Sequence, residues 1–133
     1  MTLAVTDTHA LLWWAHGDVR KLGRAARSLF EKAESGRAAI YVPVFSLLEV
    51  AEAMRRGFFA PTHTFEAWTR QLLASGAFIA VGLDLEILYE AEGLYAIPER
   101  GDRLIAATAL HLDYPLITKD PAVRAVRRLE TIW

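Results

Sequence analysis

The stretch that decides the fold is LAVTDTHALL, residues 3–12, in which an apolar run meets an acid and then a helical pattern. The run from Leu3 to Thr6 predicts a short buried strand. A short helix carrying Leu11, Leu12 and Trp14 follows. The same order of strand and helix returns along the chain, and this alternation predicts a mostly parallel sheet with helices on both faces.

The rest of the chain repeats this pattern without internal repeats, low-complexity segments or linkers. The further strands are predicted at Ala38 to Val42, Ala77 to Val81, Leu116 to Thr118 and Thr131 to Trp133. Helices are predicted within residues 22–33, 44–54, 65–72, 85–91 and 103–112, with a short one starting at Pro121. We therefore expect a single domain, residues 1–133, with a three-layer α/β/α fold and a sheet of about four to five strands.

Composition limits the class of protein. The chain has 133 residues, 53% of them hydrophobic, a formal net charge of -1 and no cysteine. A net charge near zero argues against strong nonspecific binding to nucleic acid but leaves room for a local basic patch. The lack of cysteine excludes disulfides and zinc–thiolate sites. The N-terminus has no pattern of a signal peptide, and no segment has the ~18 apolar residues of a membrane helix. We expect a cytoplasmic protein without membrane association.

Four carboxylates beside apolar stretches are the strongest candidates for a functional site. They are Asp7, Glu49, Asp102 and Asp120. A carboxylate near a core is costly unless it is paired, hydrogen-bonded or bound to a metal. Strand ends and helix starts tend to gather on one edge of an α/β sheet, where ligands bind. Four acids gathered there would form a Mg²⁺ or Mn²⁺ site, since hard divalent cations select oxygen ligands.

Each acid also has a structural explanation, and position alone leaves both open. Asp7 and Asp102 precede predicted helices, and Asp120 precedes Pro121, so all three can be N-caps. Asp84 is interpreted in the same way, as a cap alone. Glu49 can be an exposed helix residue. A capping aspartate keeps a free oxygen, so capping and metal binding are compatible roles.

The residues around these acids resemble a known family. The matching segments are Val5 to Trp14 (VTDTHALLWW), Ser46 to Ala51 (SLLEVA), Asp102 to Leu110 (DRLIAATAL) and Pro115 to Asp120 (PLITKD). Together they resemble PIN-domain ribonucleases, most closely the VapC-type toxins of toxin–antitoxin pairs. The resemblance spans essentially the whole chain, and DRLIAATA is its most specific segment.

The resemblance implies a PIN-like fold and cleavage of single-stranded or looped RNA that depends on Mg²⁺ or Mn²⁺. It implies that the four acids are the catalytic and metal-binding quartet, with Asp7 and Asp102 as primary ligands. Thr8 and Thr118 match hydroxyl positions that support the acids, and Arg103 and Lys119 are predicted phosphate contacts.

One departure from the family pattern precedes Asp102. The chain has Pro98-Glu99-Arg100-Gly101, where relatives often have an acid, a proline and an aromatic residue. We expect Glu99 to replace that acid and Gly101 to make the loop more flexible.

The resemblance also implies partners: a homodimer and a small antitoxin protein that blocks the site. Phe58 and Phe59, in a predicted turn, are the candidate antitoxin contacts. The alternatives are an antitoxin-independent PIN nuclease in RNA processing and a non-catalytic RNA- or protein-binding module. A receiver-like signalling domain with Asp7 and Lys119 at its phosphorylation site fits poorly, because Glu49 falls within a helix.

Overall fold

The centre of the structure, a computed structural model that describes all residues from Met1 to Trp133, is a five-stranded sheet. Its strands are β1 (Thr2–Thr6), β2 (Ala38–Pro43), β3 (Phe78–Val81), β4 (Leu116–Ile117) and β5 (Thr131–Ile132). They lie in the order β3-β2-β1-β4-β5, and every neighbouring pair is parallel. The prediction of a mostly parallel sheet of four to five strands is confirmed.

Seven α-helices cover the sheet on both faces. They are α1 (Thr8–His16), α2 (Arg24–Glu34), α3 (Val44–Arg55), α4 (Phe65–Ala74), α5 (Leu85–Glu92), α6 (Arg100–Leu112) and α7 (Pro121–Arg124). A short 3-10 helix, Val19–Lys21, was not predicted from the sequence. No helix has the length and apolar character needed to cross a membrane.

Two separate apolar cores show that the fold has three layers. One core joins the sheet to α1–α4 around Phe30 and Ile40, and the other joins it to α5–α7 around Ile105. Adjacent residues of β1 belong to different cores: Ala4 faces the first and Val5 the second. This is the alternation of a strand that is buried on both faces. The predicted three-layer α/β/α arrangement is confirmed.

The position of β1 defines where a ligand can bind. After β1 the chain moves to β2 on one side, and after β3 it returns across the sheet to β4 on the other side of β1. In open α/β sheets a crevice forms at such a switch of direction, outside the carboxyl ends of the strands. Asp7 directly follows β1, and Asp120 follows β4 by three residues.

The start of α6 differs from the prediction. The helix begins at Arg100 with Glu99 at its N-cap, so Asp102 lies in the first turn and is not the cap. Gly101 is therefore part of a helix, and the expectation that it makes a loop flexible is wrong. A Cβ on Gly101 would lie only 2.5 Å from Cε2 of Phe45. The glycine thus allows α3, which carries Glu49, to pack closely against the start of α6, which carries Asp102.

Candidate active site

Asp7 lies where β1 ends and α1 begins. One carboxylate oxygen, Oδ1, accepts a hydrogen bond of 2.8 Å from the amide of Ala10, so Asp7 is the N-cap of α1. Its own amide donates to the carbonyl of Ile117 at 3.1 Å, which ties the end of β1 to β4. Burial raises the pKa of Asp7, although the Ala10 amide and the Thr118 hydroxyl counteract it. The predicted cap is present, and the second carboxylate oxygen is not used by it.

Asp120 is placed by a second cap, just beyond β4. Its Oδ1 accepts hydrogen bonds from the amides of Ala122 and Val123 at 2.9 and 3.2 Å, at a helix that starts with proline. Its amide donates to Oγ1 of Thr118 at 3.1 Å. Because the Thr118 hydroxyl also lowers the pKa of Asp7, one buried hydroxyl lies beside both acids, just beyond the ends of β1 and β4.

Glu49 reaches the same place from α3. Thr8, in the first turn of α1, donates its hydroxyl to Oε1 of Glu49 at 2.5 Å. This distance is at the short end of the range for O–H···O hydrogen bonds, and the contact fixes the orientation of the Glu49 side chain. Thr8 therefore holds Glu49, whereas Thr118 lies beside both Asp7 and Asp120.

Asp102 carries the clearest sign that the acids are near one another. Its pKa is raised to about 6, first by burial and then by the negative charges of Asp120, Asp7, Glu99 and Glu49. The N-terminus of a helix favours a carboxylate, so burial and repulsion outweigh the helix dipole here. Asp102 is thus held at an electrostatic cost that no side-chain hydrogen bond offsets.

The four acids line one groove of about 670 Å³. Its charged walls carry far more acids than permanent cations: Asp7, Asp18, Glu49, Glu52, Glu99, Asp102 and Asp120 against Lys21 and Arg56. Both cations are already paired, Lys21 with Asp18 and Arg56 with Glu52, each at 3.7 Å. The groove therefore attracts cations and repels a phosphate unless a cation enters with it.

The oxygen atoms of the groove suit a hard divalent cation that is bound by only one or two carboxylates. The groove offers carboxylate oxygens, the ligands that Mg²⁺ and Mn²⁺ prefer. No three of these side chains are grouped closely enough to chelate one ion as they stand. Mg²⁺ usually keeps several waters and binds through one or two carboxylates together with substrate phosphate. The residues present fit an ion held in that way.

Some predicted residues have contacts that the sequence did not reveal. Arg103 donates from Nη1 to the carbonyls of Ile97 and Pro98, at 2.7 and 3.0 Å, and so holds the loop before α6. Its phosphate contact stays a prediction beside this structural role. Phe59 is buried against Trp68, so the idea that it contacts an antitoxin is wrong.

The groove also contains residues that sequence reasoning did not assign to it. Trp13, His16 and Lys21 belong to its wall, and no local pattern singles them out. Glu99 had a signal, because it lies three residues before Asp102, about one helical turn away.

The fold and the acidic groove together define the class of protein. Residues 4–129 match the model of the PIN domain, and the chain belongs to the PIN-domain family. The resemblance inferred from the sequence is thereby confirmed.

Known relatives narrow the comparison further. The chain is 31% identical over 137 residues to ribonuclease VapC22 of Mycobacterium tuberculosis, in an alignment that covers all of both chains. It resembles the structure of a toxin–antitoxin complex from Klebsiella pneumoniae, with a TM-score of 0.65, 20% identity and coverage of 98% of this chain and 96% of that one. It also resembles VapBC2 from Rickettsia felis bound to a promoter DNA fragment, with a TM-score of 0.68, 12% identity and 98% coverage of each chain. At these identities the two structures show the shared fold.

The raised pKa of Asp102 leads to a testable pH dependence of stability. In the unfolded chain an aspartate loses its proton near pH ~4, whereas in the native state Asp102 keeps it to about pH 6. The native state binds more protons between these values, so stability from this group falls as the pH rises through the window. Without metal, Asp102→Asn should melt at the same temperature as the wild type near pH 4. Above pH 6 it should melt about 3–5 °C higher, which allows about 1 kcal/mol after discounting for partial exposure.

The measurement is a series of thermal melts in chelator across this pH range. Asp84→Asn is the matched control, because Asp84 caps α5 outside the groove. A difference that is constant with pH, or that has the opposite sign above pH 6, would contradict the raised pKa of Asp102.

Proposed function

We propose that this protein is an endoribonuclease that hydrolyses phosphodiester bonds with Mg²⁺ or Mn²⁺, and that it is the toxin of a toxin–antitoxin pair. The observation that carries the proposal is the convergence of four acids from four separate segments on one groove at the switch point of the sheet. Caps alone do not explain it, since Glu49 and Asp102 cap no helix. The relative named as a ribonuclease supports the choice of substrate.

In the proposed reaction each acid has a role set by its contacts. Asp7 and Asp102 would bind the ion, Asp7 through the oxygen that its cap leaves free. Glu49 would bind a second ion or a metal-bound water, in the orientation set by Thr8. Asp120 would orient water or a ligand from its capped position, as outer-sphere partners of metal sites do. The ion, when bound, would neutralise phosphate charge and lower the pKa of a bound water.

Charge around the groove decides how RNA would approach. The excess of acids makes the empty groove repel phosphate, so we propose that RNA enters together with the ion. Lys119, exposed and adjacent to Asp120, is a candidate phosphate contact because it forms no ion pair with any acid. Arg103 can add a contact through the N–H groups that its loop contacts leave free.

A small antitoxin protein is the proposed partner that blocks the groove. Structural relatives include toxin–antitoxin complexes, which supports this partner. Phe58 is exposed and belongs to the groove wall, so an antitoxin segment that enters the groove would cover an apolar side chain. With RNA and an antitoxin as partners, we propose the cytoplasm as the place of action.

A homodimer is the second proposed assembly, and a set of exposed apolar side chains supports it. Most of the large hydrophobic side chains exposed in the structure lie on β3, on α5 with its flanking loops, and at the start of α3; they are Ile79, Leu83, Leu85, Leu88, Tyr89, Tyr95, Val44 and Leu48. The register of β3 on β2 pairs Val81 with Pro43, which places the loop before α5 beside the start of α3. Exposed apolar patches of this kind mark association surfaces. Sedimentation of the purified chain should give the mass of two chains, and a single-chain mass would overturn this assembly.

The function is tested by cleavage of RNA with purified protein, and Asp120→Asn makes the test specific. Asparagine keeps a side-chain oxygen for the cap of α7, so stability should fall by well under ~1 kcal/mol. The negative charge is lost, so cleavage with Mg²⁺ or Mn²⁺ should fall about 10- to 100-fold, the usual effect of removing an outer-sphere partner. Chelator should abolish the wild-type activity.

Asp84→Asn serves as the control for the cap, because Asp84 makes the same kind of contact at α5 with no place in the groove. It should keep full activity. Full activity in Asp120→Asn would reduce Asp120 to a cap, and wild-type cleavage that persists in chelator would overturn the metal-dependent mechanism.

A further inference from the structure

Trp13 forms part of the groove wall beside the catalytic acids. It lies on α1 one and a half turns after the cap at Asp7, and it lines the same groove as Asp7, Asp120 and Lys21. Its side chain is only half-buried, so part of the indole ring faces the groove. The proposed mechanism gives this ring no role.

Two lysines lie over this ring. The Nζ of Lys119 is 4.7 Å from the ring centroid of Trp13, and the Nζ of Lys21 is 6.0 Å from it. Lys119 is also 5.9 Å from the ring of Trp133. One aromatic ring and two ammonium groups therefore stand together at the edge of a groove that is otherwise acidic.

The position of the ring is fixed by its neighbours. Trp133 meets Trp13 edge-on, with ring centroids 5.9 Å apart, and His9 lies on the same helix at 5.6 Å. Trp133 is seated against Gly23, where a Cβ would come within 2.3 Å of the backbone carbon of Trp133. Trp133 thus packs against Gly23, where any larger residue would clash with it. From this position Trp133 supports the indole of Trp13 on one side.

We propose that Trp13 stacks an unpaired RNA base next to the cleaved phosphodiester, and that Lys119, which is in no ion pair, binds a neighbouring phosphate, whereas Lys21 stays paired with Asp18. This inference rests on the proposed nuclease function. Proteins that bind single-stranded nucleic acid combine positive charge along the backbone with aromatic rings on which bases stack. The exposed Lys119 side chain is flexible and can move from the ring to a phosphate when a base arrives.

Base stacking is stronger than an exposed cation–π contact, so a base is favoured over a lysine as the partner of the Trp13 ring. An exposed cation–π contact changes an equilibrium about two- to fivefold. Loss of a stacking ring weakens nucleic-acid binding roughly 5- to 150-fold. A base can therefore replace an ammonium on the indole, and the displaced ammonium gains a phosphate. A base within a duplex is stacked on its neighbours and cannot do this, so the surface selects unpaired RNA.

The test is binding of a short fluorescent single-stranded RNA, measured by anisotropy with Mg²⁺ in the Asp120→Asn background, where both acids assigned to the ion are intact and cleavage is slowed. Trp13→Ala should weaken binding about tenfold, and Trp13→Phe should retain most of it. Trp13→Leu keeps an apolar side chain to pack on Trp133, so its loss of affinity reports the missing aromatic face and not a folding defect. Trp68→Phe is the control, because Trp68 lines a different groove, with Trp14 and Phe78.

An abasic RNA backbone separates stacking from charge. It should bind the wild type and Trp13→Leu with equal affinity, since it has no base to stack. Lys119→Met should lower the salt dependence of RNA binding by about one contact. Equal RNA affinity of the wild type and Trp13→Leu would overturn the proposal. Because binding is measured apart from cleavage, failure of the nuclease mechanism would appear separately, as RNA that binds but is not cut.

Discussion

Asp102→Asn should lower metal-dependent RNA cleavage by about a thousandfold while leaving the protein folded. The substitution keeps the size of the side chain and breaks no hydrogen bond, because the Asp102 carboxylate makes none. It removes one negative charge that, under the proposed function, holds a cation. Metal-ion catalysis supplies several kcal/mol of transition-state stabilisation, and ~4 kcal/mol corresponds to about three powers of ten in rate.

Initial rates on a structured RNA with Mg²⁺ or Mn²⁺ measure this loss, and Asp84→Asn supplies the rate expected for a charge lost outside the groove. Asp102→Asn should combine lower cleavage with higher stability than the wild type above pH 6 without metal. If Asp102 served stability alone, the variant would be less stable and would still cleave RNA. Full activity in Asp102→Asn would reject the mechanism.

Phe59→Ala should cost about 3–5 kcal/mol of stability, the usual loss for a buried phenylalanine. Phe59 is only 4% exposed, and its ring lies 5.5 Å from that of Trp68 and 6.0 Å from that of His16. Truncation would leave a cavity between α1, α4 and the turn that carries Phe59. The melting temperature should fall by roughly 10–20 °C for a chain of this size.

Phe58→Ala is the matched control one residue away. Its side chain is 76% exposed, so its removal should change stability by no more than about 0.5 kcal/mol. Thermal melts of the two variants in one buffer compare them directly. Equal melting temperatures would contradict the packing around Phe59. Under the proposed function, Phe58→Ala should instead weaken antitoxin binding.

The sequence predicted those features that local patterns determine. The strand predicted at Leu3 to Thr6 follows from its apolar run, and the caps at Asp7, Asp84 and Asp120 follow from an acid placed before a helical pattern. Asp120 was the clearest of these, because Pro121 suits the first position of a helix. Each feature depends on residues close in the chain, and the structure contains all of them.

The features that were missed depend on contacts between distant segments. Asp102 is not a cap because α6 starts earlier, where Gly101 packs on Phe45 of another helix. Phe58 and Phe59 are identical in type, and only their surroundings in the fold make one exposed and the other buried. Arg103 was predicted to be available for phosphate because the sequence does not show that the carbonyls of Ile97 and Pro98 turn toward its side chain.

The same limit applies to the candidate site. Composition and spacing left the acids open to a capping explanation, and the family resemblance grouped them. The parallel order of β2, β1 and β4 then explains physically why Asp7 and Asp120 are neighbours. Lys119 was predicted as a phosphate contact, but its position over the ring of Trp13 had no sequence signal, because α1 and the segment after β4 are far apart in the chain.

Direct binding of Mn²⁺ to the purified protein, followed by the loss of the free-ion electron paramagnetic resonance signal, tests the central claim most directly. The wild type should bind Mn²⁺ saturably, and Mg²⁺ should compete for the same site. Asp7→Asn and Asp102→Asn should each weaken that binding at least tenfold, whereas Asp84→Asn should bind like the wild type. No saturable binding, or equal binding in all four proteins, would contradict a divalent-metal site built from these carboxylates.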